Sequence, residues 1–444
     1  MQYSRLSRYT SPDVESRAAD IITWTVRTLL GAVFIFSGFV KGIDPWGTMY
    51  KFDDYLAAMG LPAWHSPVIV AVFALCAVEF MTGVFLLLGC FRRTSAIASL
   101  VIMAFMLPLT LWIAVFDPVA NCGCFGDAVV LSNWATFWKN VLLTIAAIWM
   151  TAFSRRAGCL VMPALQWLAF IVSALFIIVI QTIGYISQPL IDFRPYKTGT
   201  TIVPGETEND EDTLVFIYEK NGVKKEFTTD SLPDENDGWT FVDRKEKPGN
   251  NSDEKITGFR LWKGNEDVTE DVLKSEGGQL LLLMPDLKDV SIATTWKINS
   301  LHTWSQRHDI DMIAAVAGNS QDIANWEDLS IPEYEIYTAD DTSIKEVARG
   351  NPAAVFTENG VIRWKRALRA IDVDDFMSPE ISDDPMSFAT DNSGILRNLI
   401  YLYLIMTGVL IAISFMPRVH RYIIKPKKNF TDSKKADKNQ TDSE

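Results

Sequence analysis

Apolar positions along this chain fall into two regimes. In 21–186 and again in 399–416, Ile, Leu, Val, Phe, Ala and Trp run on with few charges, whereas 187–393 intersperses short apolar stretches with charged and polar ones. A helix needs roughly 20 apolar residues to cross the hydrocarbon of a bilayer. Six runs read as such spans: 21–40, 68–89, 96–116, 137–153, 160–180 and 399–416, the short fourth run being extended outward by Trp134. Their recurrence at loop-like spacing argues for membrane spans over buried helices of a soluble core.

Between the fifth and sixth spans the period changes. "TLVFIYEKNGVKKEFTT" centres on Asn221-Gly222, a strong hairpin signal, and "WTFVDRKE" and "GFRLWKGNEDVT" continue as short strands. After Gly277-Gly278, strand and helix alternate: "QLLLLMPD", "SIATTWKINSLHTWSQRH", "IDMIAAVAG", "NSQDIANWEDL", "YEIYTADD" and "SIKEVARG", then a hairpin through Asn359-Gly360 and a helical turn at "DVDDFM". That order predicts an α/β sheet.

Charge supplies the sidedness, because cationic loops stay in the cytoplasm. Arg5, Arg8 and Arg17, then Arg92 and Arg93, then Arg155 and Arg156, then the tail "MPRVHRYIIKPKKNF" fall on one side if six spans alternate. The expected location is a bacterial inner membrane, with both termini cytoplasmic, the soluble domain in the periplasm and the first span acting as an uncleaved anchor. The expected divisions are a cytoplasmic N-terminus over 1–20, a four-helix membrane domain over 21–153, a fifth span within 159–186 and a β-rich linker subdomain over 187–276. An α/β domain over 277–378, a linker over 379–398, a sixth span over 399–416 and a basic cytoplasmic tail over 417–444 complete the chain. The net charge of -13, concentrated in the outer domain, argues against nucleic acid as a partner.

Five cysteines carry the candidate chemistry. By this topology only Cys122 and Cys124, in "NCGCFGD", face the oxidising side, where disulfides persist. Cys76 lies midway along the second span and reads as packing. A Cys-x-Cys ring closes only through a sharp turn, which Gly123 supplies, and the strain makes such a bridge easy to reduce. Lys41, if near, favours a thiolate, and Asp44 shares the same rim. Two other readings stand beside the redox one: a purely structural turn, and a metal site using Cys122, Cys124, His65 and a carboxylate. Asp44-Pro45 and Asp117-Pro118 occupy similar positions after odd-numbered spans, a faint echo of duplicated hairpins that prolines past helix ends also explain.

Ionisable side chains in lipid pair or line polar cavities. Arg27 and Glu79 differ in expected depth by only about 5 Å at 1.5 Å per residue. They are expected to pair, either as a structural lock or as a proton or quinone site.

The first four spans resemble the DoxX and MauE group of four-helix membrane proteins, on Arg27, "FSGFVKGIDP", Glu79 with Gly83, and "NCGCFGD". The Cys-Gly-Cys-Phe-Gly stretch points to the MauE side. The resemblance implies a redox setting: electron transfer or disulfide formation in exported partners for one branch, quinone-linked oxidation for the other. The extra spans and "IDFRPYKTGT" resemble long DoxX-type proteins of Bacteroidota, in which a fifth span is followed by such a segment and a soluble domain; in this chain Asp192 and Arg194 either dock that domain at the outer rim or belong to a plain linker. The α/β order resembles thioredoxin-like domains, with Pro352 matching their late proline, but "PDLKDVS" stands where the family places Cys-x-x-Cys. The outer domain is then a binding module without thiol chemistry of its own.

The expected activity is electron passage between an exported thiol-containing client and membrane quinone. Cys122 and Cys124 form the redox pair, Lys41 and Asp44 tune it, and Arg27 and Glu79 support the bundle or a quinone head group. The protein acts alone or as a subunit of a complex. The alternative is a non-catalytic scaffold or assembly factor in the bilayer.

Overall fold

The computed structural model describes residues 12–61, 65–119, 122–156, 158–202, 213–220, 223–228, 240–247, 259–264, 266–274, 276–318, 320–377 and 384–424. Within these, 12–16, 65–66, the strands of 213–247, 376–377 and 417–424 are described by backbone alone. The chain divides into two compact units: Met1–Arg194 with Ala348–Ala353 and Lys365–Glu444, and Pro195–Val347 with Ala354–Trp364.

The first unit is helical. Its helices are α1 (Pro12–Ile43), α2 (Pro45–Ala58), α3 (His65–Leu88), α4 (Arg92–Phe116), α5 (Asn133–Phe153), α6 (Gln166–Ile186) and, after the elements of the second unit, α12 (Asn392–Ile424). Six of the described helices are long and apolar enough to cross a membrane, so the chain is a multi-pass membrane protein. Their exposed faces carry Phe105, Leu142, Ile145, Leu175 and Ile405, apolar side chains that lipid satisfies and water does not. The seventh, α2, has 14 residues and does not span. Its start is set locally: the Asp44 carboxylate accepts a hydrogen bond from the Gly47 N–H at 2.9 Å, and Pro45 occupies the first turn. Asp44-Pro45 thus opens a new helix. Asp117 does something different, closing α4 in the left-handed region at φ 47° while its carboxylate accepts from Asn133 Nδ2 at 2.7 Å. The two Asp-Pro steps are not equivalent.

Glycine sets how closely α1 and α3 approach. A Cβ on Gly38 would lie 2.8 Å from the Phe80 Cα and the Cys76 carbonyl, and one on Gly83 would lie 2.5 Å from the Ile35 nitrogen. Helices in lipid associate through such small-residue contacts, since no hydrophobic force drives them together there. The same contacts fix the register, and the register removes the expected Arg27–Glu79 pair. Arg27 lies level with the far end of α3, donating to the Leu87 carbonyl at 3.0 Å and the Gly158 carbonyl at 2.5 Å. Leu87 is eight residues beyond Glu79, about 12 Å along the helix. The edges of apolar runs misjudge depth here because α1 begins at Pro12, well before its apolar stretch. Beside Arg27, Arg156 pairs with Asp20 at 3.5 Å and Arg92 donates to the Arg155 carbonyl at 3.2 Å, so the cationic loops gather at one end of the bundle.

The second unit is α/β. Strands β1 (Thr213–Lys220), β2 (Val223–Thr228) and β3 (Thr240–Lys247) form an antiparallel sheet in the order β2-β1-β3, with Lys220 opposite Val223 across Asn221-Gly222, which lies outside the described residues. A mixed seven-stranded sheet follows the order β10-β9-β6-β7-β8-β4-β5. Its strands are β4 (Trp262–Lys263), β5 (Glu266–Asp267), β6 (Gly278–Met284), β7 (Asp311–Val316), β8 (Glu335–Thr338), β9 (Ala353–Glu358) and β10 (Val361–Ala367). β6, β7 and β8 run parallel, and the apolar run Leu280–Met284 is buried throughout, as a strand covered on both faces requires. Asn359 and Gly360 have φ of 52° and 71°, the paired positive values of a tight hairpin turn. The helices are α7 (Thr269–Val272), α8 (Thr295–Arg307), α9 (Ser320–Ser330), α10 (Asp341–Val347) and α11 (Val373–Met377), the last outside this unit's bounds. β4 and β5, which fall within the expected 187–276 subdomain, extend the same sheet as β6 to β10.

Gly38→Val tests the α1–α3 contact. It should cost about 1–3 kcal/mol by overpacking and lower the thermal midpoint of the detergent-solubilised protein. Gly408→Ala in α12, whose added Cβ meets nothing within 4 Å, should leave that midpoint unchanged or raise it.

Candidate functional site

The Cys-x-Cys loop follows α4 and folds into a compact turn. Gly123 and Gly126 have φ of 63° and 54°, and the Gly126 N–H donates to the Gly123 carbonyl at 3.0 Å. A side chain at 123 would be strained in backbone and would press on Lys51, 3.1 Å away, so glycine is required there. The turn brings the Cys122 and Cys124 Sγ atoms to 2.8 Å, both thiols being free. Each carbonyl is held from below. Tyr55 of α2 donates its hydroxyl hydrogen to the Cys122 carbonyl, and Ser37 of α1 lies 2.9 Å from the Cys124 carbonyl.

Beneath Cys124 lies a buried polar chain. Lys41 Nζ meets Glu79 Oε2 at 2.5 Å, with both side chains about 95 % buried or more, and Ser37 Oγ lies 3.0 Å from the same oxygen. A cavity of about 30 Å³ joins Ser37, Lys41 and Glu79 to Cys124, Lys139 and Asn140. On its other side Cys124 borders a larger cavity of about 100 Å³, walled by Val40, Phe52, Leu75, Met106 and Leu109 with Lys41, Asp44 and Cys122 at its edge.

Electrostatics divides the two thiols. A hydrogen bond from Cys122 stabilises the Cys124 thiolate, burial opposes it, and the ammonium groups of Lys139 and Lys41 help further. The Cys124 pKa falls to about 6. Cys122 moves the other way, because its proton is the one shared with Cys124 and because it is buried. The couple therefore behaves as one acid with a single easily lost proton.

A second charge cluster forms the rim. Arg349 reaches Asp44 at 2.7 Å and Asp127 at 2.9 Å. Its backbone is bracketed by Gln188, which donates to the Arg349 carbonyl at 2.6 Å and accepts from the Arg349 N–H at 3.0 Å. Burial works against the Arg349 charge, but the two carboxylates outweigh it and raise its pKa. Nearby in sequence to Gln188, Asp192 pairs with Arg194 at 2.7 Å and Lys365 at 2.5 Å. Burial opposes ionisation of Asp192, yet those two cations hold its pKa at about 2.

Of the residues singled out from sequence, Cys122, Cys124, Lys41 and Asp44 line one cavity, Glu79 joins them through Lys41 and Ser37, and Arg27 stands apart at the other end of the bundle. The His65 side chain lies outside the described residues. Among the described residues no three His, Cys, Asp or Glu side chains converge as metal ligands. Sequence reasoning missed Ser37, Tyr55, Lys139, Asp127 and Arg349. Ser37 is four residues before Lys41 and so shares its helix face, and Lys139 is an intramembrane charge as informative as Glu79. Nothing local marks Arg349.

A helical membrane bundle with a buried ion pair under a Cys-Gly-Cys loop defines the class. Residues 19–153 match the family model described as methylamine utilisation protein MauE, which covers the first four spans and the loop. Residues 213–248, the three-stranded sheet, match a domain of unknown function (DUF8463). Neither a curated protein nor a solved structure matches the chain.

Two predictions follow from this geometry. In the reduced protein, alkylation of Cys124 should rise with pH through a midpoint near 6, where an ordinary cysteine rises near 8.5, and Lys139→Ala should shift the midpoint upward; mass spectrometry after timed iodoacetamide pulses reads both. Asp44→Asn keeps an acceptor for the Gly47 N–H but removes the charge facing Arg349, whereas Asp44→Ala removes both. The alanine variant should be the less stable by about 1 kcal/mol in thermal unfolding.

Proposed function

We propose that this protein moves electrons between thiols and membrane quinone through the Cys122–Cys124 couple. The observation that carries the reading is the pair of sulfurs sharing one proton at the wall of an apolar cavity, with Cys124 acidic. The match of residues 19–153 to MauE supports a membrane protein of redox or maturation function. In the oxidising direction, the thiolate of an exported client attacks the Cys122–Cys124 disulfide, and a second client thiolate resolves the mixed disulfide. The client gains a disulfide, and two electrons and two protons reside on Cys122 and Cys124. A quinone supplies the acceptor for those two electrons and two protons.

The residues present fit such a ring. The walls of the larger cavity are aliphatic and aromatic, and a volume on the order of 100–150 Å³ is the scale of one six-membered ring. Val40, Leu75, Met106 and Leu109 would hold the ring, with the Lys41 ammonium as a donor toward a quinone oxygen. Cys124 provides the thiolate, Lys139 and Lys41 sustain its charge, and Tyr55 and Ser37 hold the loop. The cationic end of the bundle is assigned to the cytoplasm and the loop to the periplasm of a bacterial inner membrane. The seven-stranded sheet is read as a thioredoxin-like fold without a Cys-x-x-Cys, a binding surface that selects the client. Arg27 has no part in the site and is assigned to closing the cytoplasmic end.

Thiol trapping in intact cells tests this. Cys122 and Cys124 should be found bridged, and should become reduced when quinone is depleted; replacing both with serine should abolish client oxidation at unchanged membrane abundance. A pair that stays reduced throughout, with full function in the double-serine protein, would instead identify a scaffold.

A further inference from the structure

Tyr55 of α2 donates to the Cys122 carbonyl and Ser37 of α1 lies 2.9 Å from the Cys124 carbonyl, which fixes the backbone at the two sulfurs. The far end of the loop is held differently. Three residues beyond Cys124, Asp127 Oδ2 meets Arg349 Nη2 at 2.9 Å, and the same nitrogen meets Asp44 Oδ2 at 2.7 Å. Asp44 in turn caps α2, the helix that carries Tyr55. One guanidinium therefore closes a circuit that runs from the Cys122 carbonyl through Tyr55 and α2 to Asp44, across Arg349 to Asp127, and back along the loop to Cys124. Arg349 is itself fixed, its backbone bracketed by Gln188 and its side chain 6 % exposed. Gly47 makes room for the junction: a Cβ there would lie 2.6 Å from Asp44 Oδ2 and 2.7 Å from Arg349 Nη2.

We propose that Arg349 is a positioning residue for the cysteine couple: by tying Asp127 to Asp44 it holds the far end of the loop and keeps the Cys122 and Cys124 sulfurs apposed. It acts through the loop backbone rather than through its charge. Its purpose rests on the redox reading given above, in which two sulfurs must stay within bridging reach. The apposition is read in the acidity of Cys124, because sulfurs in contact keep the hydrogen bond that stabilises its thiolate. The other titratable and charged groups about Cys124 are Lys41 on α1, Tyr55 and Lys51 on α2, Glu79 on α3 and Lys139 on α5; Asp44, Asp127 and Asp192 edge the larger cavity, and on α4 Met106 and Leu109 carry no charge.

The pH midpoint of Cys124 alkylation, measured on the reduced full-length protein in detergent, separates position from charge. Removing a cation near a thiolate raises its pKa, and removing an anion lowers it. If charge alone matters, Arg349→Gln and Asp127→Asn should move the midpoint in opposite directions, and Gly47→Ala, which alters no charge but displaces the junction, should leave it in place. The positioning role predicts that all three raise it, by about 0.5–1 pH unit, the value of one weakened hydrogen bond to the thiolate. It also predicts that Arg349→Gln combined with Asp127→Asn raises it no further than Arg349→Gln alone. Asp127→Asn and Gly47→Ala leave Arg349 with a carboxylate beside it, so they decide the matter should Arg349→Gln fail to fold. A downward shift in Asp127→Asn, or an unmoved midpoint in Gly47→Ala, would overturn the proposal. Bridging of Cys122 to Cys124 in intact cells is read separately. A pair that stays reduced there sinks the redox reading and leaves the positioning role standing, whereas an adverse midpoint result removes the role of Arg349 and leaves the redox reading standing.

Discussion

An ammonium and a carboxylate buried together inside a helix bundle constrain everything around them. Removing either charge from water costs several kcal/mol, and the pair is tolerable only if its partner is in contact and its remaining hydrogen-bonding capacity is met. Lys41 and Glu79 satisfy the first condition at 2.5 Å. Ser37 meets part of the second, and through Ser37 the pair reaches the cysteine loop. The contact exists because Gly38 and Gly83 let α1 and α3 touch backbone to backbone, so the glycines, the ion pair and the sulfurs are one mechanical unit. Moving the helices apart by the width of a methyl group would strand two charges and loosen the cysteine turn together.

The membrane part was largely legible. Runs of apolar residues report spanning helices directly because hydrocarbon offers the backbone no other partner. The alternation after Gly277 likewise reads as an α/β sheet, since Leu280–Met284 and the Asn359-Gly360 turn each carry a local signal. What failed was register. Apolar runs show where a helix enters lipid and say little about which of its residues face a neighbour, so Arg27 and Glu79 read as partners although about two turns separate their levels. The glycines held the missing information: Gly31 and Gly38 lie seven residues apart on one face of α1 and set its alignment with α3.

The candidate site was legible in its chemistry and opaque in its surroundings. Cys122, Gly123 and Cys124 announce themselves by spacing, and Lys41 by its charge. Their supports do not, because Tyr55 acts through a backbone carbonyl, which any sequence provides, and α2 hides behind an Asp-Pro step that resembles a helix end. Arg349 is the extreme case, a partner that only the folded chain reveals.

That last contact also orders the making of the protein. Arg349 and Asp127 are 222 residues apart, so at elongation rates of roughly 5–20 residues per second the loop emerges on the order of ten to forty seconds before its guanidinium. Until then Asp44 and Asp127 are without the guanidinium that bridges them in the finished fold. The supports of the cysteine loop itself, Ser37 and Tyr55, precede it in the chain, so only the outer rim waits on the late-made strand.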